Sequence, residues 1–282
     1  MADRLEDILA RYDVFLFDAY GVLVHAAGAL PGAKELLTRL CAEGREFWVI
    51  TNDASRTPAT CAHRYRQLGL PVEEEQVISS GALLPAWYKR AARPGAPTIV
   101  LGPPDAHAMV EAAGGLALTP AEALLRGDVE VVALCDEAFE PFVPMVDDTL
   151  SAIVRAVAHG RTPKLVVPNP DLIYPRGDGG FGVTTGAVAE MIEAALRVRM
   201  PEAPRFERLG KPHPPIFEEV RARAIGKRLV MFGDTLETDI HGATQAGIDS
   251  VLVLTGVSGA PGEDAKLRPT FVLDSLRSQR AS

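Results

Sequence analysis

Short, uninterrupted apolar runs recur along this chain, and each is followed by a polar or glycine break and then by a helix-like stretch. A strand exposed on one face would alternate apolar and polar residues. Continuous apolar strands that alternate with amphipathic helices instead indicate a parallel sheet covered on both faces. We therefore predict an α/β fold. The runs are Val14 to Phe17, Phe47 to Ile50, Ile99 to Leu101, Val131 to Leu134, Leu165 to Val167, Leu229 to Phe232 and Val251 to Leu254.

Proline clusters suggest how the chain is divided. A length of 282 residues fits one large domain or two modest ones. The first cluster follows a helix that we expect to end near Arg93, and the second, Pro201 and Pro204, marks a return near residue 205. We interpret residues 86–205 as an inserted α/β domain within a discontinuous core made of residues 1–85 and 206–282.

Charge and composition exclude several classes of protein. Lys and Arg number 29 against 37 for Asp and Glu, so the net charge of −8 offers no general attraction to nucleic acids or anionic membranes. No apolar run approaches the ~20 residues of a membrane span, and the start lacks a secretory signal pattern, so we predict a cytoplasmic protein. The spacing of Cys41, Cys61 and Cys135 fits neither a disulfide framework nor a zinc site.

The first polar residues after several runs form a pattern of their own. Asp18, Thr51 and Asp234 each follow a run, Asp239 comes shortly after Asp234, and Lys211 precedes a helix. Ligands of open parallel sheets bind beyond the carboxyl ends of the strands. Carboxylate oxygens suit Mg²⁺, and Thr and Lys donors suit phosphate. Singly, each residue is more typical of a turn or a helix cap. Their order along the chain favours a magnesium-dependent site for phosphoryl chemistry.

On these motifs the chain resembles the haloacid dehalogenase (HAD) superfamily, class IIA, the NagD-like branch that includes relatives of p-nitrophenyl phosphatase and pyridoxal phosphatase. The resemblance runs from Tyr12 to about Leu276. It implies a hydrolase with a Rossmann-like three-layer core, a parallel sheet and a large inserted α/β cap domain, in agreement with the proline hinges. Further matching segments are Pro31-Gly32-Ala33, Ile78-Ser79-Ser80-Gly81, Asn169-Pro170-Asp171, Gly233-Asp234-Thr235-Leu236-Glu237-Thr238-Asp239-Ile240 and Thr255-Gly256-Val257.

The resemblance also implies catalytic and metal-binding roles. Asp18 matches the nucleophile that attacks phosphorus and forms an aspartyl phosphate. Asp18 and Asp234 match Mg²⁺ ligands, together with the backbone carbonyl of Tyr20. Lys211 matches the cation that neutralises charge on the nucleophile and the transferred group. Asp239 matches the acid that orients this cluster.

Substrate-binding roles are implied as well. Thr51, Asn52 and Lys211 match the residues that hold the phosphate of a small phosphorylated substrate. Because substrate choice in such an enzyme belongs to the cap, Asn169 and Asp171 are candidates for substrate specificity. An Asx turn at these two residues is an equally good interpretation. A homodimer formed through the cap is common among similar proteins.

Tyr20 departs from the pattern. The resembling phosphatases carry a second aspartate two residues after the nucleophile, which protonates the leaving alcohol and later activates water. Such general acid–base help is typically worth about 10²–10⁴ in rate. A tyrosine can donate a proton but is a poor base at neutral pH, so we expect slow formation and slower hydrolysis of the acyl phosphate. Asp53, on the next strand, is a candidate replacement.

The motifs leave two other functions open. Asp-Ala-Tyr-Gly also occurs in haloacid dehalogenases, which attack carbon without a metal. Val22, the acid at Asp234 and the large cap argue against that interpretation. Alternatively, the chain binds a phosphorylated ligand without turning it over, because only the proton-transfer residue has changed.

One further motif resembles a dinucleotide-binding motif, but we do not interpret it as one. Gly177 to Gly182 contains G-x-G-x-x-G, but no apolar strand runs directly into it, as dinucleotide binding requires. We predict a cap loop that closes over the site.

Overall fold

The computed structural model describes residues 4–25, 27–176, 180–260, 262 and 266–277. Within these ranges, no helix combines the length and the apolar character that a membrane span requires. Part of the predicted loop Gly177 to Gly182 lies outside the described residues. The helices are Leu5–Leu9, Ala33–Ala42, Pro58–Gln67, Leu84–Ala91, Pro104–Ala112, Pro120–Arg126, Phe142–Ala158, Thr185–Arg199, Pro214–Arg223 and His241–Gln245, with a π-helical turn at Leu236–Ile240 and 3₁₀ turns at Glu74–Gln76 and Gly81–Leu83.

A six-stranded parallel sheet, here called the core sheet, is built from the two ends of the chain. Both of its faces are covered, as continuous apolar strands require. Along Val14–Phe17, Phe15 and Phe17 pack into one apolar cluster, while Val14 and Leu16 pack into another. In spatial order the strands are Phe271–Leu273, Asp249–Val253, Leu229–Gly233, Val14–Phe17, Glu46–Thr51 and Val77–Ser79.

The middle of the chain forms a second parallel sheet, here called the cap sheet. It has five strands and its own apolar cluster, which includes Ile99, Val132 and Ile153. In spatial order its strands are Phe206–Arg208, Lys164–Val167, Val131–Leu134, Pro97–Leu101 and Leu116–Leu118. Two short antiparallel pairs complete the strands, Val24–His25 with Gly28–Ala29 and Ile173–Pro175 with Phe181–Val183.

Both proposed ends of the insert need adjustment. The strand Phe206–Arg208 pairs with Lys164–Val167, so the return to the core comes after Arg208 rather than at residue 206. The proposed boundary at residue 86 falls inside the helix Leu84–Ala91. This helix faces the insert, because Trp87 Nε1 donates a hydrogen bond to Glu207 at 2.8 Å. Proline clusters mark irregular backbone, but they do not show which sheet a short edge strand joins.

Local features of the sequence explain where two of the helices begin or end. The Thr57 side chain caps the helix Pro58–Gln67 by accepting a hydrogen bond from the backbone N–H of Thr60 at 3.2 Å. Gly247 follows the helix His241–Gln245 with a φ of 64°, which glycine adopts without strain. These caps fix where one helix begins and where another ends.

Candidate active site

Neighbouring strands of the core sheet bring the polar residues together. The strand Val14–Phe17 lies between Leu229–Gly233 and Glu46–Thr51. Because these three strands are parallel, Asp18, Thr51 and Asp234 meet at one edge. A cavity of about 710 Å³ opens there, lined by these residues and by cap residues from Asn169 to Tyr174.

Lys211 lies at the centre of the cluster. Its Nζ donates to Asp18 Oδ1 at 2.5 Å and to Asp239 Oδ1 at 2.7 Å, and its side chain is only 3% exposed. Burial opposes the charged ammonium, but the carboxylates of Asp18 and Asp239 outweigh it and raise the pKa of Lys211. Lys211 is therefore a fixed positive charge beside the candidate nucleophile.

Asp239 is fully engaged by the protein. Its Oδ1 accepts the Lys211 hydrogen bond, and its Oδ2 accepts from the backbone N–H groups of Asp234 and Thr235, both at 3.1 Å. A Cβ on Gly233 would lie 2.1 Å from Asp239 Cβ, so the carboxylate is packed directly against the strand end. This geometry suits a residue that orients its neighbours, as the sequence predicts for Asp239.

The residues present fit a divalent cation. Oxygens of Asp18, Asp234 and Asp239 lie within 4.8 Å of one another, and Lys211 is the cation that bridges two of them. Burial raises the pKa of Asp18, and burial followed by the charge of Asp239 raises the pKa of Asp234 to about 7. A second positive charge would relieve this repulsion. Asp18 Oδ2 accepts no hydrogen bond from the described residues and is therefore available as a ligand or nucleophile.

The Asn52 side chain bonds the segment that carries Lys211. Its Oδ1 accepts from the Lys211 backbone N–H at 2.7 Å, and its Nδ2 donates to the Lys211 carbonyl at 3.0 Å and to Asp171 Oδ1 at 2.9 Å. The side chain therefore holds the lysine backbone, while Asn52 also lines the cavity, and its contact with phosphate stays a prediction. Thr51 remains suited to phosphate, because its Oγ1 accepts from the Asp53 N–H at 3.2 Å and its own hydroxyl proton stays available.

The two cap candidates are also held by the protein. Asn169 Oδ1 accepts from the Asp171 N–H at 3.0 Å, which is an Asx turn, and Asn169 Nδ2 donates to Thr184 Oγ1 at 3.2 Å. Asp171 then reaches across to Asn52 on the core. Both residues line the cavity, but the hydrogen bonds show them building the cap loop and joining it to the core.

Tyr20 and Asp53 are placed differently from each other. The Tyr20 ring packs against the core cluster and lines the cavity without filling it, and its hydroxyl bonds no other described residue. Both carboxylate oxygens of Asp53 have partners, because Oδ1 accepts hydrogen bonds from Ser55 and Oδ2 forms a 2.8 Å salt bridge with Arg56. The geometry therefore argues against Asp53 as a replacement acid or base.

Sequence comparisons identify the family. A family model for haloacid dehalogenase-like hydrolases matches residues 15–115, and a second model, for HAD-hydrolase-like proteins, matches residues 208–278. Glycerol-3-phosphate phosphatase of Gallus gallus is 34% identical in an alignment 298 residues long that covers 95% of this chain and 91% of that protein. The chain belongs to the haloacid dehalogenase-like hydrolase family. The hydrolase class and the α/β fold predicted from the sequence are thereby confirmed.

Solved structures of HAD-like proteins share the whole architecture. A possible sugar phosphatase from Cytophaga hutchinsonii superposes with a TM-score of 0.80 at 27% identity, covering 98% of both chains. A glycerol phosphate phosphatase from Mycobacterium tuberculosis, in complex with magnesium, gives a TM-score of 0.77 at 25% identity and covers 99% of this chain and 78% of its own. The same protein has also been solved in complex with calcium.

Sequence reasoning missed several residues of this HAD-like site. Asp136 and Glu137 line the cavity and follow the apolar run Val131 to Leu134, so the strand-end rule that found Asp18 would also have found them. Val257 belongs to one of the matching segments, and its backbone N–H donates to Asp234 Oδ2 at 2.8 Å. No sequence signal predicts that contact, because it depends on how a loop folds back.

Proposed function

We propose that this HAD-like hydrolase is a Mg²⁺-dependent phosphatase that acts on a small phosphorylated metabolite through an aspartyl phosphate. The observation that carries the proposal is Lys211, which bridges Asp18 and Asp239 while Asp234 lies within reach across the same cluster. A buried nucleophilic carboxylate, a fixed cation and a second acid are what attack on a phosphorus centre requires.

The chain's own residues account for most of the reaction. Asp18 Oδ2 attacks phosphorus, so an O–P bond forms while the bond to the leaving group breaks, and the departing alkoxide takes a proton from the Tyr20 hydroxyl or from water. Lys211 holds the charge on Asp18 and on the transferred group, and Thr51 offers a hydroxyl donor to the phosphate. Water then attacks the aspartyl phosphate and gives up a proton to the Tyr20 phenolate or to solvent, which releases phosphate and restores Asp18.

The metal would be held by Asp18 and Asp234 with the carbonyl of Tyr20, as the family resemblance implies. A bound Mg²⁺ supplies Lewis acidity toward the phosphoryl oxygens. Mg²⁺ is proposed because the ligand set is oxygen only, and because the M. tuberculosis relative is described in complex with magnesium.

The substrate class is proposed from the relatives and the cavity. Glycerol-3-phosphate phosphatase of Gallus gallus and the solved glycerol phosphate phosphatase are both named for a small phosphate monoester. A cavity of about 710 Å³ that the cap covers suits a molecule of that size.

The test is hydrolysis of 4-nitrophenyl phosphate and glycerol 3-phosphate by purified protein, with Mg²⁺ and after chelation. We expect Mg²⁺-dependent release of phosphate that Asp18→Asn and Lys211→Met abolish. Asp13→Asn is the matched control, because Asp13 precedes the same strand and pairs with the exposed Arg228. Activity that survives Asp18→Asn would refute the mechanism.

Binding without turnover is the second candidate, and Tyr20 is the observation that favours it. A phenol that bonds no other described residue, in place of a carboxylate, leaves the proposed metal and phosphate groups intact but weakens proton transfer. A silent wild-type protein that still binds orthophosphate, together with an active Tyr20→Asp variant, would support this candidate. Chloride release from 2-chloropropionate without metal would instead support dehalogenation.

A further inference from the structure

Lys211 lies on the segment that returns from the cap to the core. The cap strand Phe206–Arg208 ends three residues before it. The intervening backbone stays attached to the cap, because Leu209 N–H donates to the Val167 carbonyl at 3.3 Å and Gly210 N–H donates to the Pro168 carbonyl at 2.9 Å. The position of this lysine therefore depends on both sheets.

Asn52 fixes the same segment from the core side. It makes two hydrogen bonds to the Lys211 backbone, of 2.7 Å and 3.0 Å, as a paired strand would. The second of these uses the Nδ2 group, which also donates to Asp171 Oδ1 at 2.9 Å. A cap carboxylate and the lysine carbonyl thus share one amide group, and together they set the plane of the Asn52 side chain.

Close packing leaves the Asn52 amide little room. A Cβ on Gly210 would lie 2.3 Å from Asn52 Oδ1 and 2.6 Å from the Pro168 carbonyl, so only glycine allows this approach. Asn52 itself is 5% exposed. The Asn52 amide has no free space to rotate into, so a rotation would displace the Lys211 backbone.

We propose that Asp171 is a positioning residue for Lys211, which acts through Asn52 and not through the substrate. With the cap closed, Asp171 orients the Asn52 amide, the amide fixes the lysine backbone, and Nζ is held against Asp18 and Asp239. The inference rests on the proposed function, in which Lys211 serves the nucleophile. It couples closure of the cap to assembly of the catalytic cluster, and it replaces the specificity role predicted for Asp171.

Kinetics of two substitutions separate positioning from substrate recognition. Asp171→Ala removes the acceptor, and loss of one hydrogen bond of this kind should lower kcat about three- to tenfold. Asp171→Asn keeps an acceptor oxygen and should retain most of the activity. The ratio of kcat/KM for 4-nitrophenyl phosphate and glycerol 3-phosphate should be unchanged in both variants.

Asp105→Ala is the matched control. Asp105 Oδ2 also joins the cap to the core, since it accepts from Thr57 N–H at 3.3 Å and Thr60 Oγ1 at 2.8 Å, but it touches no residue of the catalytic cluster. We expect its kcat to equal that of the wild type. Equal losses in Asp171→Ala and Asp171→Asn, or a changed substrate ratio, would overturn the proposal.

A second readout does not depend on activity. Acylation of lysines by an amine-reactive ester, followed site by site by mass spectrometry, should find Lys211 protected in the wild type and in Asp105→Ala. Lys211 should react several-fold faster in Asp171→Ala, with Asp171→Asn close to the wild type. Unchanged protection in folded Asp171→Ala would overturn the inference. If the wild-type protein hydrolyses no phosphate ester, the proposed function fails, and this assay still decides the positioning role.

Discussion

Tyr20 places a phenol in the cavity at the position where the family resemblance implies a carboxylate. Its hydroxyl bonds no described side chain, so no group among the described residues assists it as a base. We expect Tyr20→Asp to raise kcat with Mg²⁺ by about 10²–10⁴-fold, the contribution that general acid–base catalysis typically provides. The measurement is steady-state hydrolysis of 4-nitrophenyl phosphate.

Tyr20 should also cause a reaction intermediate to accumulate in the wild-type protein. Hydrolysis of the acyl phosphate needs a base, whereas its formation needs mainly an acid, so phosphorylated Asp18 should accumulate in the wild type and not in Tyr20→Asp. Acid quenching and peptide mass spectrometry would detect it. A Tyr20→Asp variant that is no faster than the wild type would show that tyrosine at this position does not limit turnover.

Asp171 lowers the stability of the folded protein at neutral pH, and its proposed positioning role explains this cost. Burial raises the pKa of Asp171 to about 6, although Lys211 and the Asn52 hydrogen bond act to lower it. A carboxylate whose folded-state pKa is raised contributes stability below its unfolded pKa and loses it as the pH rises through about 6. Asp171→Asn should therefore be more stable than the wild type at pH 8, by about 1–2 kcal/mol.

This prediction is checked by thermal unfolding of the two proteins across a pH series. The melting temperatures should converge as the pH falls towards 4, because the wild-type carboxyl is then neutral in the folded protein. A constant difference at every pH would mean that the substitution acts by packing and not by charge.

At the scale of elements, the loop after the strand Asp249–Val253 closes over Asp234. Thr255 Oγ1 donates to the Gly21 carbonyl at 2.6 Å, and Val257 N–H donates to Asp234 Oδ2 at 2.8 Å. Gly256 lies between these contacts, where a Cβ would be 1.8 Å from Asp234 Oδ2. The loop therefore sets the orientation of a candidate metal ligand.

Gly256→Ala should displace the Asp234 carboxylate and weaken Mg²⁺ binding by about 10–100-fold, the usual cost of losing support behind a ligand. Titration calorimetry with Mg²⁺ measures this directly. Gly259→Ala is the matched control, because a Cβ there meets nothing within 4 Å. Equal affinity in the two variants would show that the loop does not support the ligand.

The long strands were predictable because both faces of each are buried, which makes their sequences continuously apolar. The core strand Val14–Phe17 matches its run residue for residue. Short edge strands were not predictable: Leu116–Leu118 begins with an exposed leucine, and Phe206–Arg208 alternates in burial. Three residues with one covered face carry too weak a pattern to separate from a loop.

The residues of the site also differ in whether their contacts could be predicted from the sequence. Asp18, Thr51 and Asp234 could be predicted together, because parallel strands deliver their carboxyl ends to one edge. Asn52 and Asp171 are 119 residues apart, and their hydrogen bond depends on how the cap sits over the core. No periodicity encodes that placement. The family resemblance therefore implied a phosphate contact for Asn52 but not the hydrogen bonds by which it joins the cap to the core.

Charge at this edge links metal binding to the stability of the whole molecule. Asp18, Asp234 and Asp239 are buried close together, and Lys211 bridges only two of them. A cation that binds the folded chain alone stabilises it by about 2.7 kcal/mol at a hundred times its Kd. We therefore expect saturating Mg²⁺ to raise the Tm by roughly 5 °C or more. Asp234→Asn should abolish the shift, whereas Asp128→Asn, at an exposed salt bridge with Arg126, should keep it. A full shift in Asp234→Asn would place the stabilising ion elsewhere on the protein.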